Sequence, residues 1–272
     1  MARLDAELVA RGIARSRERA KEMIKSGCIT VNSVTAKKVS AEVSEKDIIE
    51  SSESEIYVGR GALKIKKAYE VFGLSFSGKI CLDIGASTGG FTDFMLEKGA
   101  EKVWAVDVGQ NQLAEKLRRD RRVISLEKTD IRNVTAETLG GKADFISADV
   151  SFISLKNILP KISELLSDGA EAVVLIKPQF EAGRKDIGKH GIVKDRKVHE
   201  RVITEIDTFI HSVGLTAVDY TFSPIKGGSG NIEYLAHLRK ISATPVVRDF
   251  KQLVENSFSK LKEKSDESSI IP

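Results

Sequence analysis

Three ionisable residues stand where apolar stretches begin or end. Asp149 follows "ADFISA", Lys177 follows "AEAVVLI", and Glu233 lies within "NIEYLAHLRK". The last of these reads as a strand with apolar side chains on both faces and Glu233 inside it. A carboxylate so placed must be paired, solvated or neutralised, because burying it alone is costly. A lysine can act as a general base only if its pKa falls, through burial or a neighbouring cation. Taken singly, each of the three is more readily a surface or paired charge. The chemistry depends on which elements bring them together.

A second constellation surrounds "LDIGASTGGFTDF". Asp83, Gly85, Gly89 and Gly90 fall in a strand–turn–helix context, where glycine lets a backbone approach a ligand closely. The spacing G-x-x-x-G-G is not the dinucleotide fingerprint, and it lacks the lysine of a phosphate loop. Asp107 lies 22 residues after Gly85, at the end of the next apolar run. There a carboxylate can accept hydrogen bonds from ribose hydroxyls. Asp130, after the third run, is placed to meet an adenine amino group. Either aspartate could instead cap a helix.

The positioning elements follow from the pattern. "KICLDIG", "KVWAVDVG", "RVISLEKTD", "ADFISADVSF" and "AEAVVLIKPQF" read as five strands, with helices "GFTDFMLEKG", "NQLAEKLRRD" and "SLKNILPKISELL" among them. Apolar strands alternating with helices predict a parallel sheet covered on both faces. After helix "KVHERVITEIDTFIHSVG" the order changes. "LTAVDYTFSPI" and "NIEYLAHLRK" are separated only by "KGGSG", too short for a crossover helix, so they form an antiparallel hairpin. The result is an α/β fold with a Rossmann-like, seven-stranded sheet. Its order resembles that of the class I methyltransferases and favours S-adenosylmethionine (SAM) over NAD. Ligands in open α/β sheets bind at the carboxyl ends of the parallel strands. An antiparallel last strand starts at that edge, so Glu233 is expected near Lys177 and Asp149.

The 272 residues suffice for one large domain and a small one. No apolar run approaches the roughly 20 residues of a membrane span. The N-terminus is charged, unlike a secretory signal, so a cytoplasmic location is expected. Cys28 and Cys81 read as reduced core residues rather than a disulfide or metal site. Residues 1–40 hold nine basic and four acidic side chains, an excess larger than the +4 of the whole chain. This asymmetry predicts a polyanionic partner. "RLDAELVARG" and "RERAKEMIKSG" predict two helices, the second capped by Ser16, and "CITVN" and "DIIE" predict two strands. Arg17, Lys21 and Lys25 share one face of the second helix. From charge alone, a solvated face is an equally good reading of that stripe.

"RLDAELVARGIARSRERAKEMIKSGCITVNSV" resembles the S-four-type RNA-binding module of ribosomal proteins. "VGRGALK", "DIGASTGGFTD", "ADVSFISL", "IKPQFEAGR" and "SPIKGGSGNIEYL" together resemble the TlyA family of ribosomal RNA 2′-O-methyltransferases, often labelled haemolysins, within the FtsJ-like group. The resemblance runs over nearly all of residues 1–240. It implies methylation of a cytidine 2′-hydroxyl in ribosomal RNA from SAM. It implies a Lys-Asp-Lys-Glu active site at Lys64, Asp149, Lys177 and Glu233, with Lys177 as base and Lys64 steering the hydroxyl. Lys64 falls on a predicted helix, Ala62 to Phe72, that must pack over the rim.

The implied cofactor set is Asp83, Gly85, Ala86, Ser87, Gly89, Gly90, Phe91, Asp107, Val108, Asp130, Ile131 and Asp149. Ala86 stands where many relatives carry serine. The implied RNA contacts are Arg3, Arg15, Arg17, Arg19, Lys21, Lys25 and Arg60. The expected organisation is a small α+β RNA-binding domain over 1–55, a linker over 56–61, a methyltransferase domain over 62–240, and a C-terminal segment over 241–272. That last segment would carry a helix from Val247 to Leu261 and a polar tail. Expected partners are ribosomal RNA and ribosomal subunits, without membrane or metal, for a monomer or weak dimer. Phe152 and Phe180 flank the rim and could stack on a flipped base or pack in the core. "EAGRKDIGKHGIVKDRK" could be a lid, an RNA-contacting loop or neither. Two rival readings are a non-catalytic assembly factor and a membrane-active haemolysin. The intact tetrad argues against the first. The lack of an apolar span or lytic helix argues against the second.

Overall fold

The computed structural model describes residues 2–14, 16–25, 27–51, 57–244 and 246–267. Arg15, positions 52–55 of the expected RNA-binding domain and position 56 of the expected linker lie outside the described residues. Two compact units are described separately, a small N-terminal one and a large one over Tyr57–Lys262.

The small unit begins with β1 (Ala2–Arg3), α1 (Leu4–Ala10) and α2 (Arg17–Lys25). Four short strands follow: β2 (Ile29–Val31), β3 (Val34–Thr35), β4 (Glu42–Val43) and β5 (Ile49–Ser51). Leu4 and Leu8 of α1 and Ala20, Met23 and Ile24 of α2 close over Ile29 and Val43. Ser16 caps α2 as the sequence predicts, its Oγ accepting the Arg19 N–H at 3.1 Å. Ser51 pairs with Ile29 at the end of β5.

The large unit runs through α3 (Ala62–Phe72), β6 (Ile80–Ile84), α4 (Gly90–Glu97), β7 (Lys102–Val106), α5 (Glu115–Arg118) and β8 (Val123–Leu126). It continues with α6 (Ala136–Leu139), β9 (Ala143–Ala148), α7 (Leu159–Leu165), β10 (Leu166–Ile176) and α8 (Pro178–Glu181). It closes with α9 (Arg196–Ser212), β11 (Thr216–Phe222), β12 (Tyr234–Arg239) and the part of α10 (Lys251–Glu267) up to Lys262. The sheet order is β11-β12-β10-β9-β6-β7-β8. β10, β9, β6, β7 and β8 are parallel, and β12 runs antiparallel to both β10 and β11. This is the predicted sheet with its terminal hairpin. One face buries Leu82, Ile146, Val174 and Ala236 under α7, α9 and α10. The other buries Cys81, Phe145, Val173 and Leu235 under α3 and α4. Apolar residues point both ways along the strands because both faces are covered.

Several boundaries differ from the sequence reading for local reasons. Glu233 stands just before β12 rather than inside it, and its carbonyl accepts the Ser223 N–H at 2.9 Å. The helix expected over "NQLAEKLRRD" shrinks to the single turn of α5, because Glu127 accepts the N–H groups of Asn111, Gln112 and Leu113. Asp249 caps α10 by accepting the Lys251 N–H at 2.9 Å, so Val247 is excluded from the helix. The stretch Tyr57–Gly61, within the expected linker, packs on α4. The Tyr57 ring lies 5.4 Å from Phe94, and the Val58 N–H donates to Asp93.

Candidate active site

Four charged side chains from four segments converge at the carboxyl edge of the sheet. Lys64 Nζ sits 3.0 Å from Asp149 Oδ2 and 2.8 Å from Glu233 Oε2. Lys177 Nζ lies 2.5 Å from Asp149 Oδ1 and donates to Ser151 Oγ at 3.1 Å. Asp149 therefore bridges two ammonium groups, and Lys64 bridges two carboxylates. Lys64, Lys177 and Glu233 are buried, and the cluster balances two positive against two negative charges. Burial would push the Lys64 ammonium down, but the Asp149 and Glu233 carboxylates outweigh it and raise it. Burial would likewise raise Asp149, but Lys64 and Lys177 hold it below the usual carboxylate range. Pairing of this kind is what permits buried charge at all.

Two glycines place this cluster. Gly85, at φ 79°, follows β6, and a Cβ there would fall 2.6 Å from the Asp149 carbonyl. Gly90 opens α4, and its Cβ would fall 2.9 Å from the Ala62 nitrogen at the start of α3. The bare backbone at 90 thus lets α3 come down over the rim and deliver Lys64.

A cavity of about 490 Å³ adjoins the cluster and shares Asp149 and Ser151 with it. Gly85, Ser87, Asp107, Val108, Asp130 and Ile131 also line it, as do Gln112 and Thr129, which the sequence reading missed. Asp107 accepts the Ser87 and Gly109 N–H groups at 2.7 Å each. Asp130 caps the turn at Ile131 and pairs with Arg132 at 2.6 Å. Asp83, Ala86, Gly89, Gly90 and Phe91 do not line the cavity. Asp83 is buried and accepts hydrogen bonds from the Thr92 N–H, the Thr92 hydroxyl and the Ser147 hydroxyl. Burial pushes its carboxyl up to about 6. Asp83 thus pins β6 to α4 and β9. Gly89 packs against Leu117, and Phe91 belongs to the core.

Residues 57–240 match the model of the FtsJ-like methyltransferase family, and residues 2–49 match the S4 domain. The chain belongs to the FtsJ-like methyltransferase family. It is 46% identical to YqxC of Bacillus subtilis over 238 residues, 87% of this chain and 85% of that one. It is 43% identical to the 16S/23S rRNA (cytidine-2'-O)-methyltransferase TlyA of Mycobacterium tuberculosis over 241 residues, 88% of this chain and 90% of that one. A solved structure from Streptococcus thermophilus that carries the hemolysin label is 41% identical, with a TM-score of 0.79 over 97% of this chain and 98% of that one.

Around the FtsJ-like centre, Phe152 is 91% exposed at φ 64°, with its ring 5.1 Å from that of Phe180. Glu181 holds this corner together, accepting the Ser154 hydroxyl at 2.6 Å and the Leu155 N–H at 2.8 Å. It thereby links the segment after β9 to the segment after β10. The acidic position in "KPQFEAG" was the only signal for it. Of the expected RNA contacts, Arg60 is exposed just before α3. In the S4 domain, Arg3 and Arg17 both pair with the buried Asp5, whose carboxyl they hold down at about 2. Arg19 pairs with Glu22 at 3.3 Å, and Lys25 is exposed at the end of α2. Lys21 is half-buried on the same helix. Among the described residues no acidic, cysteine and histidine group could hold a metal, and no helix is long and apolar enough to cross a membrane.

Proposed function

We propose that this enzyme moves a methyl group from SAM to the 2′-hydroxyl of a cytidine in ribosomal RNA, which its S4 domain grips. The observation that carries the reading is the Lys64–Asp149–Lys177–Glu233 cluster abutting the cavity through Asp149. The cavity suits SAM. Asp107 and Asp130 offer carboxylates to ribose and adenine, and Ile84, Val106, Ile131 and Ile158 offer apolar walls. Its volume falls within the range of small-ligand sites. Bound SAM supplies an electrophilic methyl carbon on a sulfonium.

A ribose hydroxyl is a weak nucleophile and must lose its proton as its oxygen attacks. Lys64, clasped by two carboxylates, is held as an ammonium and can orient the hydroxyl oxygen. Lys177 takes the proton as the new C–O bond forms and the sulfonium C–S bond breaks. Asp149 aligns both nitrogens, and Glu233 balances Lys64.

The test is tritiated methyl transfer from SAM to ribosomal RNA and to intact subunits from a strain lacking the enzyme, with Lys177→Ala in parallel. The expected result is label at a cytidine 2′ position with a loss of about 10²-fold or more in the variant. Binding of S-adenosylhomocysteine should persist, since Lys177 does not line the cavity. RNA binding without any incorporation would point instead to a non-catalytic assembly factor.

A further inference from the structure

Two loops meet beside Glu233. Residues 182–195 follow α8, and residues 223–233 lead into β12. Asn231, 1% exposed, joins them. Its Oδ1 accepts the Val193 N–H at 3.0 Å, and its Nδ2 donates to the Gly191 carbonyl at 2.8 Å. Its own carbonyl accepts the Gly227 N–H at 2.9 Å. One amide thus satisfies a donor and an acceptor on the other loop, as a paired strand would. Gly227 in turn lies so close to the Glu233 carboxylate that a Cβ would collide with it. The basic, glycine-rich loop is therefore tied to the same turn that carries Glu233.

The cations on these loops are grouped and unneutralised. Lys185, Lys189 and Lys194 line one cleft of about 430 Å³. Lys194 and Lys226 line an adjoining cleft of about 310 Å³, floored by Ile192, Ile232 and Phe258. All four lysines are exposed, and among the described residues none forms an ion pair. Of the acids in the first cleft, Asp186 pairs with Arg201 at 2.6 Å and Asp195 caps α9 through the Lys197 N–H, so three lysines face two carboxylates of which one is already paired. Here four ammonium groups stand on one clamped surface.

We propose that Lys185, Lys189, Lys194 and Lys226 form a platform for the phosphates of the RNA strand entering the site, and that Asn231 is the positioning residue that fixes it. The proposal rests on the RNA substrate assigned above. RNA fits better than a lipid surface, because Val193 is buried and Ile187 and Ile192 are half-buried, which leaves no apolar anchor to insert.

The test measures binding of a fluorescent ribosomal RNA transcript to the full chain with S-adenosylhomocysteine, across a KCl series. Each phosphate contact contributes roughly 0.7–0.9 to the slope of log affinity against log salt, so the quadruple Lys→Ala variant should lose about 3 from that slope. Asn231→Ala and Asn231→Asp should lose part of it and raise KM for RNA, with S-adenosylhomocysteine affinity unchanged. A quadruple variant with the wild-type slope overturns the platform. A lower melting temperature in Asn231→Ala with the wild-type slope overturns the positioning role. If neither Asn231 variant folds, the surface lysine variant still decides. Loss of binding to phosphatidylserine vesicles with RNA binding intact would also overturn the proposal. A wild-type protein that methylates no RNA, yet loses the slope in the quadruple variant, refutes the substrate assignment and leaves the platform standing.

Discussion

Lys64 and Lys177 share Asp149 yet are not equivalent. Lys64 has two carboxylate partners and a raised pKa, whereas Lys177 has one carboxylate and a serine hydroxyl. Glu233 makes the difference, so Glu233→Gln isolates it. The amide keeps the shape but leaves Asp149 alone to balance two ammonium groups. Removing one partner of a buried pair typically costs about 3–5 kcal/mol. Lys64 keeps Asp149, so the expected loss is at the lower end, about 3 kcal/mol, read from urea unfolding at neutral pH. Methyl transfer should fall in parallel. A variant as stable and active as wild type would show that Lys64 does not depend on Glu233 for its charge.

At the scale of elements, the glycines of "GASTGG" have a testable division of labour. Gly90→Ala would set a methyl 2.9 Å from the Ala62 nitrogen and 3.2 Å from the Gly59 carbonyl, so α3 must lift. Overpacking of this sort costs about 1–3 kcal/mol. A shift of about 1 Å in a reacting group can cost on the order of 10²-fold in rate. Since neither Gly90 nor Lys64 lines the cavity, kcat should drop while cofactor affinity stays near wild type. Lost cofactor binding would instead return Gly90 to the ligand role that the sequence suggested. The contrast shows what was legible. Strand ends follow from the spacing of apolar runs, so the meeting of Asp149, Lys177 and Glu233 could be read from strand order. Lys64 could not, because α3 precedes the sheet and its seat depends on tertiary contact with α4. Asp83 and Gly90 carry ordinary motif spacing, and only packing reveals that they brace the site. Asn231 and Glu181 act across loops far apart in sequence, where no periodicity marks them.

The whole chain should respond to acid in two stages, because its units carry different titrating groups. In the large unit, burial lowers His199 and His237 below 6.5. His199 Nε2 donates to the Val193 carbonyl at 3.0 Å and its Nδ1 lies 2.9 Å from the Tyr234 hydroxyl, while burial favours the neutral ring. Below pH 6.5 the unfolded chain binds these protons and the native chain does not, so stability falls as pH drops. Asp83 has the opposite sign. Its folded value of about 6 exceeds 3.8, so the native chain gains stability as pH falls between those values. Each imidazole that the native chain leaves unprotonated adds up to about 1.4 kcal/mol per pH unit to this loss, and Asp83 offsets one such proton between about 6 and 3.8. In the small unit, Asp5 is depressed from 3.8 to about 2, so its contribution is intact above pH 3.8 and is lost only as pH falls toward 2. The single tryptophan of the sequence, Trp104, lies on β7 and reports the large unit alone. Its fluorescence should change at a higher pH than the loss of amide protection at Leu8 and Met23. His199→Asn should flatten the large unit's pH dependence below 6.5 by up to about 1.4 kcal/mol per pH unit. Coincident transitions of the two probes, unmoved by that substitution, would mean that acid acts through surface carboxylates common to both units and not through the buried imidazoles.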